Sequence, residues 1–192
     1  PDRRLARELF AELEFRSILE EFTDSGIADV EYETLTSPDD LVAALDAARV
    51  AGRLSVDLET TSEQPVRADI VGIALSWEAG HGVYLPISHT TLGAENAMPL
   101  EDALDELGPV LTDVSIKLIG QNLKYDLIVL KRNGISGIEP WLDTMIASYL
   151  LHPTRTGHGL DGLALDYLGI KMTPFKEIIP VKNATFDEVP IE

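Results

Sequence analysis

Two acidic residues, Asp57 and Glu59, are separated by one position in a stretch where apolar and polar residues alternate. This period-two pattern predicts a β-strand over residues 54–61 that carries both acids on one face. Carboxylates about 7 Å apart on one face repel each other unless a cation or a proton lies between them. The spacing therefore predicts a divalent metal site, although a solvated edge strand would explain the same pair.

A second polar stretch occupies residues 120–126, with the sequence Gly-Gln-Asn-Leu-Lys-Tyr-Asp. It follows an apolar run at 115–119, which predicts a strand buried on both faces, and it leads into a helix predicted over 123–131. Functional residues of α/β sheets gather at the carboxyl ends of strands, so this stretch is the second candidate for the site. Helix capping by Asn122 and a first-turn position for Asp126 would explain both residues without any site.

The composition limits the kind of protein. A chain of 192 residues, 45% of them hydrophobic, can form one well-buried domain and an appendage. The net charge of −18 argues against a free-standing nucleic-acid binder, so any DNA contact is expected to be local, metal-assisted or helped by a neighbouring domain. The absence of cysteine excludes thiolate zinc sites, and the four histidines lack ligand spacing. No apolar run approaches the ~20 residues that cross a bilayer, so we expect no membrane partner.

The remaining hydrophobic periods predict an α/β fold, a mixed sheet with helices on its faces. Three strand-like runs with short connections predict an antiparallel meander, and two later runs predict parallel strands. The predicted strands are 30–36, 54–61, 70–77, 82–86, 115–119 and 141–142. The predicted helices are 38–50, 100–111, 123–131, 144–151 and 159–168, with Asp143 as the cap of the helix that begins at residue 144.

The N-terminal region differs from the rest of the chain. An amphipathic helix is predicted over residues 3–22, and a polar break with a glycine follows it. We therefore assign residues 1–26 to an N-terminal helical connector and residues 27–192 to the main domain. Because the chain begins with Pro1 and not with methionine, we expect it to be a piece of a longer polypeptide.

The two polar stretches together resemble a known family. Asp57 and Glu59 in Val-Asp-Leu-Glu-Thr, followed some sixty residues later by the stretch 120–126, resemble the first two motifs of the 3′-to-5′ exonuclease (proofreading) domain of bacterial DNA polymerase I. The likeness continues through residues 142–164 and covers roughly residues 50–190. The resemblance implies the RNase H-like fold and an enzyme that hydrolyses the terminal phosphodiester of single-stranded or frayed DNA 3′ ends.

The same resemblance implies a cofactor and specific residues. In this family carboxylates hold two divalent ions, Mg²⁺ or Mn²⁺, for an in-line displacement. Asp57, Glu59 and Asp126 match the family's catalytic residues and metal ligands. The positions that match its substrate-binding residues are Thr60, Gln121, Asn122, Tyr125 and Phe175.

One motif of the family is not found. The third motif, a Tyr-x-x-x-Asp that supplies the fourth carboxylate, does not follow Phe186, so we expect weak or no activity from this chain alone. The implied partners are a single-stranded DNA 3′ end, the dNMP product, and covalently linked polymerase and 5′-nuclease domains. The implied location is the bacterial cytoplasm, at the nucleoid through DNA.

Three alternative functions stay open. The chain could be an RNase D-like 3′-5′ exoribonuclease, a vestigial structural domain of a DNA polymerase I, or an acidic module that mimics DNA. Among basic residues, Lys124 and Arg155 are the best candidates for phosphate contact in the enzymatic alternatives.

Overall fold

The computed structural model describes residues 2–13, 15, 18, 30–91, 94, 97–178 and 184–191. Two compact units divide the chain: one contains Pro1–Asp29 and Met145–Ile178, and the other contains Val30–Thr144 and Ile179–Glu192. Most of the predicted continuation of the first helix to residue 22 lies outside the described residues. The assignment of residues 1–26 to a connector stays a prediction.

A six-stranded sheet forms the centre of the larger unit, in the order β1-β4-β3-β2-β5-β6. Its strands are β1 (Glu31–Thr34), β2 (Arg53–Thr60), β3 (Ile70–Ser76), β4 (His81–Pro86), β5 (Lys117–Gly120) and β6 (Pro140–Asp143). The pairs β2–β3 and β3–β4 are antiparallel, whereas β2–β5, β5–β6 and β1–β4 are parallel. This arrangement confirms the predicted meander and the predicted mixed sheet.

The predicted helices begin within one residue of their predicted positions, whereas the helix at Phe175–Ile178 lies in a stretch where none is predicted. The described helices are α1 (Arg3–Glu12), α2 (Pro38–Ala51), α3 (Leu100–Leu111), α4 (Lys124–Arg132), α5 (Thr144–Leu151), α6 (Leu160–Leu163) and α7 (Phe175–Ile178). A π-helical turn, Ala164–Leu168, continues α6, and Phe186–Glu188 is a 3₁₀ turn. Among the described helices, none combines the length and the apolar character that a membrane crossing requires.

Local chemistry explains the bounds of α2. The Ser37 hydroxyl accepts a hydrogen bond from the Asp40 N–H at 3.2 Å, and Pro38 occupies the first helical position, where its missing N–H costs nothing. Gly52 ends the helix in the left-handed region, with φ of 64°, which glycine adopts without the steric penalty of a side chain. The chain then turns directly into β2.

One hydrophobic core joins the sheet to the helices of the larger unit. The alternate residues Leu54, Val56 and Leu58 of β2 are buried in it. Its other members include buried side chains from α2, α3 and α4, among them Leu41, Leu45, Leu107, Val129 and Leu130. The opposite side chains of β2, including Asp57 and Glu59, are exposed or partly buried.

The prediction that the fifth strand is buried on both faces is wrong. β5 alternates, with Lys117 exposed and Leu118 buried. The reason is the neighbouring strand: the Lys117 ammonium lies 4.8 Å from the ring centroid of Trp141 in β6, so its charge rests on an aromatic face and stays in contact with solvent.

Candidate active site

The position of Asp126 follows from a difference in strand length. β2 pairs with β5 only from Arg53 to Ser55. Beyond Ser55 it continues to pair with β3 on its other edge, while the chain after β5 turns into α4. The Leu58 N–H points from the uncovered part of the β5-facing edge and donates a hydrogen bond to Asp126 Oδ1 at 3.1 Å. Because a buried N–H needs a partner, this bond holds the first turn of α4 against the part of β2 that carries the two acids.

The three predicted catalytic carboxyl groups interact electrostatically. Burial and then the Asp57 charge raise the pKa of Glu59 to about 7. Burial, the Asp57 charge and, more weakly, the Asp143 charge raise the pKa of Asp126 to about 7, against the lowering effect of the Leu58 N–H. Asp57 is exposed to solvent on one side, yet enough protein surrounds its carboxyl group for burial to raise its pKa as well.

No positive side chain compensates these acids within the described part of the chain. Neither lysine nor arginine forms an ion pair there with Asp57, Glu59 or Asp126. Near neutral pH the cluster must therefore keep protons or take up cations from solution. Hard carboxylate oxygens without a protein countercharge match the ligand preference of Mg²⁺ and Mn²⁺.

The carboxyl groups do not form a closed ligand cage. Across the described ranges, no three His, Asp or Glu side chains converge closely enough to hold one ion. One oxygen of Asp126 is turned to the Leu58 N–H. This geometry fits Mg²⁺, which is usually held by one or two carboxylates and completes its shell with waters and substrate phosphates. The assignment of Asp57, Glu59 and Asp126 as metal ligands stays a prediction.

Asp143 fixes the turn that leads into α4. Its carboxylate accepts hydrogen bonds from the backbone N–H of Asn122 at 3.2 Å and of Leu123 at 2.8 Å. It thus caps the start of α4 from the end of β6, and it also directly precedes α5. The N-cap position of α4 is Leu123, so the interpretation of Asn122 as the capping residue is wrong. Asn122 has a φ of 55°, a conformation that asparagine tolerates better than most residues.

Two of the predicted substrate-binding residues lie together. The Tyr125 hydroxyl is 2.5 Å from Thr60 Oγ1, and it also donates a hydrogen bond to the Ser62 carbonyl. These contacts tie the loop after β2 to the first turn of α4. Thr60 directly follows Glu59 in β2, and the half-buried phenol of Tyr125 is bonded to it.

The other predicted substrate-binding residues have different surroundings. The Gln121 side chain accepts a hydrogen bond from the Thr144 hydroxyl, which also donates to the Gly120 carbonyl at 3.1 Å. Gln121 thus connects the turn after β5 to the start of α5. Phe175 is the first residue of α7 in the other unit, and its contact with DNA stays a prediction.

The two candidates for phosphate contact also differ. Lys124 begins α4 and is exposed, so its ammonium group is open to a phosphate. The Arg155 guanidinium pairs with Asp166 at 2.8 Å and donates to the Gly157 carbonyl, and only 6% of its side chain is exposed. These contacts already use its hydrogen-bonding edge, so they argue against the phosphate role for Arg155.

Sequence reasoning missed a phenol–imidazole pair, Tyr84 and His89, on the same side of the sheet. Burial and, more weakly, the Glu59 charge raise the pKa of the Tyr84 phenol. The only signal in the sequence is a glycine, Gly72, in an otherwise apolar strand, because such glycines often mark the close approach of another group.

Comparisons with known proteins agree with this arrangement. A family model described as 3′-5′ exonuclease matches residues 32–183. DNA polymerase I of Pseudomonas aeruginosa is 31% identical over 211 residues, an alignment that covers 100% of this chain and 23% of that protein. The chain spans about a fifth of the length of the curated relatives it matches.

Solved structures share the fold at lower identity. Escherichia coli RNase D, an exoribonuclease involved in structured RNA processing, is 18% identical with a TM-score of 0.59, over 80% of this chain and 39% of that one. Brucella melitensis NrnC with bound Mg²⁺ is 21% identical with a TM-score of 0.55, over 81% of this chain and 70% of that one. These two show the RNase H-like fold, and the match of the family model shows more: the chain belongs to the 3′-5′ exonuclease domain family of DNA polymerase I.

Proposed function

We propose that the chain is the proofreading domain of a longer DNA polymerase I and removes nucleotides from single-stranded or frayed DNA 3′ ends. The observation that supports this most is the group of three acids, Asp57, Glu59 and Asp126, which interact electrostatically and have no positive partner among the described residues. A fold that needed these acids only for stability would pair them with cationic side chains. The family match supplies the reaction class.

The proposed cofactor is Mg²⁺ or Mn²⁺, held by these same three carboxylates. When bound, such ions activate a water and neutralise charge on the departing 3′ oxygen. Their ligands here would come from the second half of β2 and from the first turn of α4, and the bond from the Leu58 N–H fixes the position of Asp126 relative to β2. That a structurally similar protein, NrnC, has been described with bound Mg²⁺ supports this choice of metal.

The residues around the carboxylates would hold the last nucleotides. Tyr125 and Thr60 bond to each other next to Glu59 and offer an aromatic face and a hydroxyl to a base or sugar. We also assign substrate contacts to Gln121, Asn122 and Phe175. The Asp143 carboxylate accepts a hydrogen bond from the Asn122 N–H, and the Thr144 hydroxyl donates one to the Gln121 side chain. These bonds fix the turn that would contact the nucleotide.

The proposed partners follow from the relatives. The chain would be covalently linked to polymerase and 5′-nuclease domains, would release dNMP, and would act on DNA in the bacterial cytoplasm, since the relatives are bacterial DNA polymerases. Weak activity of this chain by itself stays a prediction, because it depends on the third motif.

The decisive experiment measures Mn²⁺ binding and 3′-end degradation in parallel. Mn²⁺ binding to this chain is followed by electron paramagnetic resonance. Degradation of a 5′-labelled single-stranded DNA oligonucleotide is measured with the DNA polymerase that contains this chain, because weak or no activity is expected of the chain alone. Asp57→Asn is expected to weaken Mn²⁺ binding at least ten-fold and to reduce the cleavage rate by roughly a hundred-fold or more, because a charge-stabilising ligand is lost. The matched control is Asp102→Asn, which removes an exposed carboxylate from the first turn of α3.

Either of two results would contradict the proposal. One is Mn²⁺ binding that is diffuse and equally strong in Asp57→Asn, as an acidic mimic of DNA would show. The other is an Asp57→Asn protein that degrades DNA at the rate of the Asp102→Asn control. A vestigial domain would show no degradation in the unsubstituted chain or in the polymerase that contains it.

An RNA substrate is the second candidate, favoured by the fold shared with RNase D. Parallel assays with DNA and RNA oligonucleotides of the same sequence separate the two. We expect faster degradation of DNA, because the relatives above 30% identity are DNA polymerases, whereas RNase D is only 18% identical.

A further inference from the structure

Tyr84 shares one face of the sheet with Asp57 and Glu59. Glu59 lies opposite Gly72 in the β2–β3 pair, and Tyr84 lies opposite Ala74 in the β3–β4 pair, two residues further along β3. A Cβ atom on Gly72 would overlap the Tyr84 hydroxyl, so the phenol crosses β3 directly over this glycine. Because opposed Cβ positions lie about 4.5–5.5 Å apart, the hydroxyl comes close to the Glu59 side chain.

His89 determines how the Tyr84 hydroxyl bonds. The imidazole is buried, with its Nδ1 3.0 Å from the Val189 carbonyl and its Nε2 2.6 Å from the Tyr84 hydroxyl. A carbonyl oxygen can only accept, so Nδ1 must carry the hydrogen, and in the neutral ring Nε2 is then an acceptor. The Tyr84 O–H therefore donates to His89, and the phenol oxygen has only lone pairs left for other partners.

This leaves two acceptors next to each other. The Tyr84 oxygen presents lone pairs, and the ionised Glu59 carboxylate also only accepts. Burial and the Glu59 charge both raise the pKa of Tyr84, so the phenol stays neutral and is a poor ligand for a cation. The partner that completes such a pair is an O–H or N–H donor. Under the proposed function, the terminal deoxynucleotide brings a single sugar O–H to this face.

We propose that Tyr84 is a positioning residue that, together with Glu59, accepts the hydrogen bond of the free 3′-hydroxyl of the terminal nucleotide, and that His89 holds its oxygen in the accepting state. The inference rests on the proposed function, since it concerns the substrate of the same site. It gives the sheet face a means to distinguish a free 3′ end from a blocked one.

The test compares two nucleotides that differ by one atom. Dissociation constants of thymidine 5′-monophosphate and of its 3′-deoxy analogue are measured by isothermal titration calorimetry with Mn²⁺ present. The unsubstituted chain is expected to prefer the nucleotide with the 3′-hydroxyl by roughly ten-fold, because a hydrogen bond to a charged group contributes about 1.5 kcal/mol or more. Tyr84→Phe, which keeps the ring over Gly72, is expected to reduce this preference about three-fold or more and to leave the affinity for the 3′-deoxy analogue unchanged.

Two further variants separate this role from a structural one. Tyr32→Phe removes the same atom from an exposed tyrosine of β1 and is expected to keep the full preference. His89→Asn keeps a donor for the Val189 carbonyl but removes Nε2, so the Tyr84 hydroxyl becomes free to rotate and the preference is expected to fall. His89→Asn also provides the test if Tyr84→Phe does not fold.

Each result decides a different question. An equal preference in the unsubstituted chain and in folded Tyr84→Phe and His89→Asn would overturn the role of Tyr84 and leave the proposed function intact. Failure of the unsubstituted chain to bind either nucleotide would overturn the proposed function, and the inference with it. A general loss of affinity for both nucleotides in Tyr84→Phe would show a structural role and would also overturn the inference.

Discussion

Two acids, the buried Asp126 and the partly buried Asp166, lie in different units and have opposite electrostatic surroundings. In the smaller unit, Asp166 is 17% exposed and pairs with the Arg155 guanidinium at 2.8 Å. In the larger unit, Asp126 is 3% exposed, and the charged groups that act on it are the acids Asp57 and Asp143. Pairing lowers the cost of burying a charge, and like-charge neighbours raise it. Burial of the acid therefore costs more free energy in the larger unit than in the smaller one.

The acidity of the whole chain does not explain this difference. The exposed Asp113 has a lowered pKa, because the side chain and backbone of Ser115 donate hydrogen bonds to it. Uncompensated, pKa-shifted carboxyl groups are typical of sites where a ligand or cation supplies the missing charge. The contrast between the two units therefore separates a structural acid from the acids that we propose for the site.

Removal of the arginine from the smaller unit should have the largest effect on stability. Arg155→Met keeps much of the aliphatic stem but removes the cation that pairs with Asp166, so we expect the free energy of unfolding to fall by roughly 3 kcal/mol. Urea denaturation followed by circular dichroism measures it. In contrast, Asp57→Asn should leave stability unchanged or increase it, because it removes repulsion from the cluster.

The double substitution Arg155→Met with Asp166→Leu sharpens this test. It removes both charges, so most of the lost stability should return, as double-mutant cycles of buried pairs predict. The contrast would fail if Arg155→Met cost less than Asp57→Asn, since the paired acid would then contribute less to the fold than the unpaired one.

A change of pH should have the next largest effect on the free energy of unfolding, through Glu59 in the larger unit. The pKa of Glu59 rises from an ordinary value of 4.5 to about 7 in the folded chain, so the folded state binds more protons between these values. Its contribution to stability is therefore complete below about pH 4.5 and is lost as the pH rises through 7. In chelator-treated protein we expect a loss of roughly 2 kcal/mol between pH 5 and 8, relative to Glu59→Gln.

Metal addition provides the control for this pH effect. Millimolar Mg²⁺ at pH 8 should restore stability in the unsubstituted chain but not in Glu59→Gln, because the cation replaces the protons that the cluster has lost. Thermal unfolding at several pH values measures both effects. Identical pH profiles for the two proteins would show that Glu59 titrates like an ordinary surface acid and would remove the contrast with Asp166.

The sequence was sufficient for the parts of the fold that depend on local chemistry. The alternation around Asp57 predicted β2, the Ser37-Pro38 pair predicted the start of α2, and glycine at position 52 predicted its end. The family resemblance added the RNase H-like topology, which the comparisons confirm. Each of these features depends on residues within about one helical turn or one strand, or on motifs that keep their spacing.

The contacts that shape the candidate site were harder to predict, because they join remote segments. The hydrogen bond from the Leu58 N–H to Asp126 spans 68 positions, and it exists because β5 ends before β2 does. The tautomer of His89 depends on Val189, which is 100 positions away. The sequence provides the residue types in both cases, but register and strand length decide which of them meet.

Substitution of Asp143 should have the smallest effect on stability, because two of its interactions oppose each other. Its carboxylate accepts hydrogen bonds from the N–H groups of Asn122 and Leu123, and loss of such a cap typically costs about 1 kcal/mol. Its charge also raises the pKa of Asp126, so neutralisation relieves part of the repulsion in the cluster.

Asp143→Asn keeps one acceptor and removes the charge, and we expect it to lower stability at pH 8 by less than about 0.5 kcal/mol. Asp143→Ala removes the acceptor too and should cost about 1 kcal/mol more. Urea denaturation of both variants at pH 8 measures the difference between them. If both lost the same stability, the charge and not the cap would be the main contribution of Asp143, and it would belong with Asp166 among the structural acids.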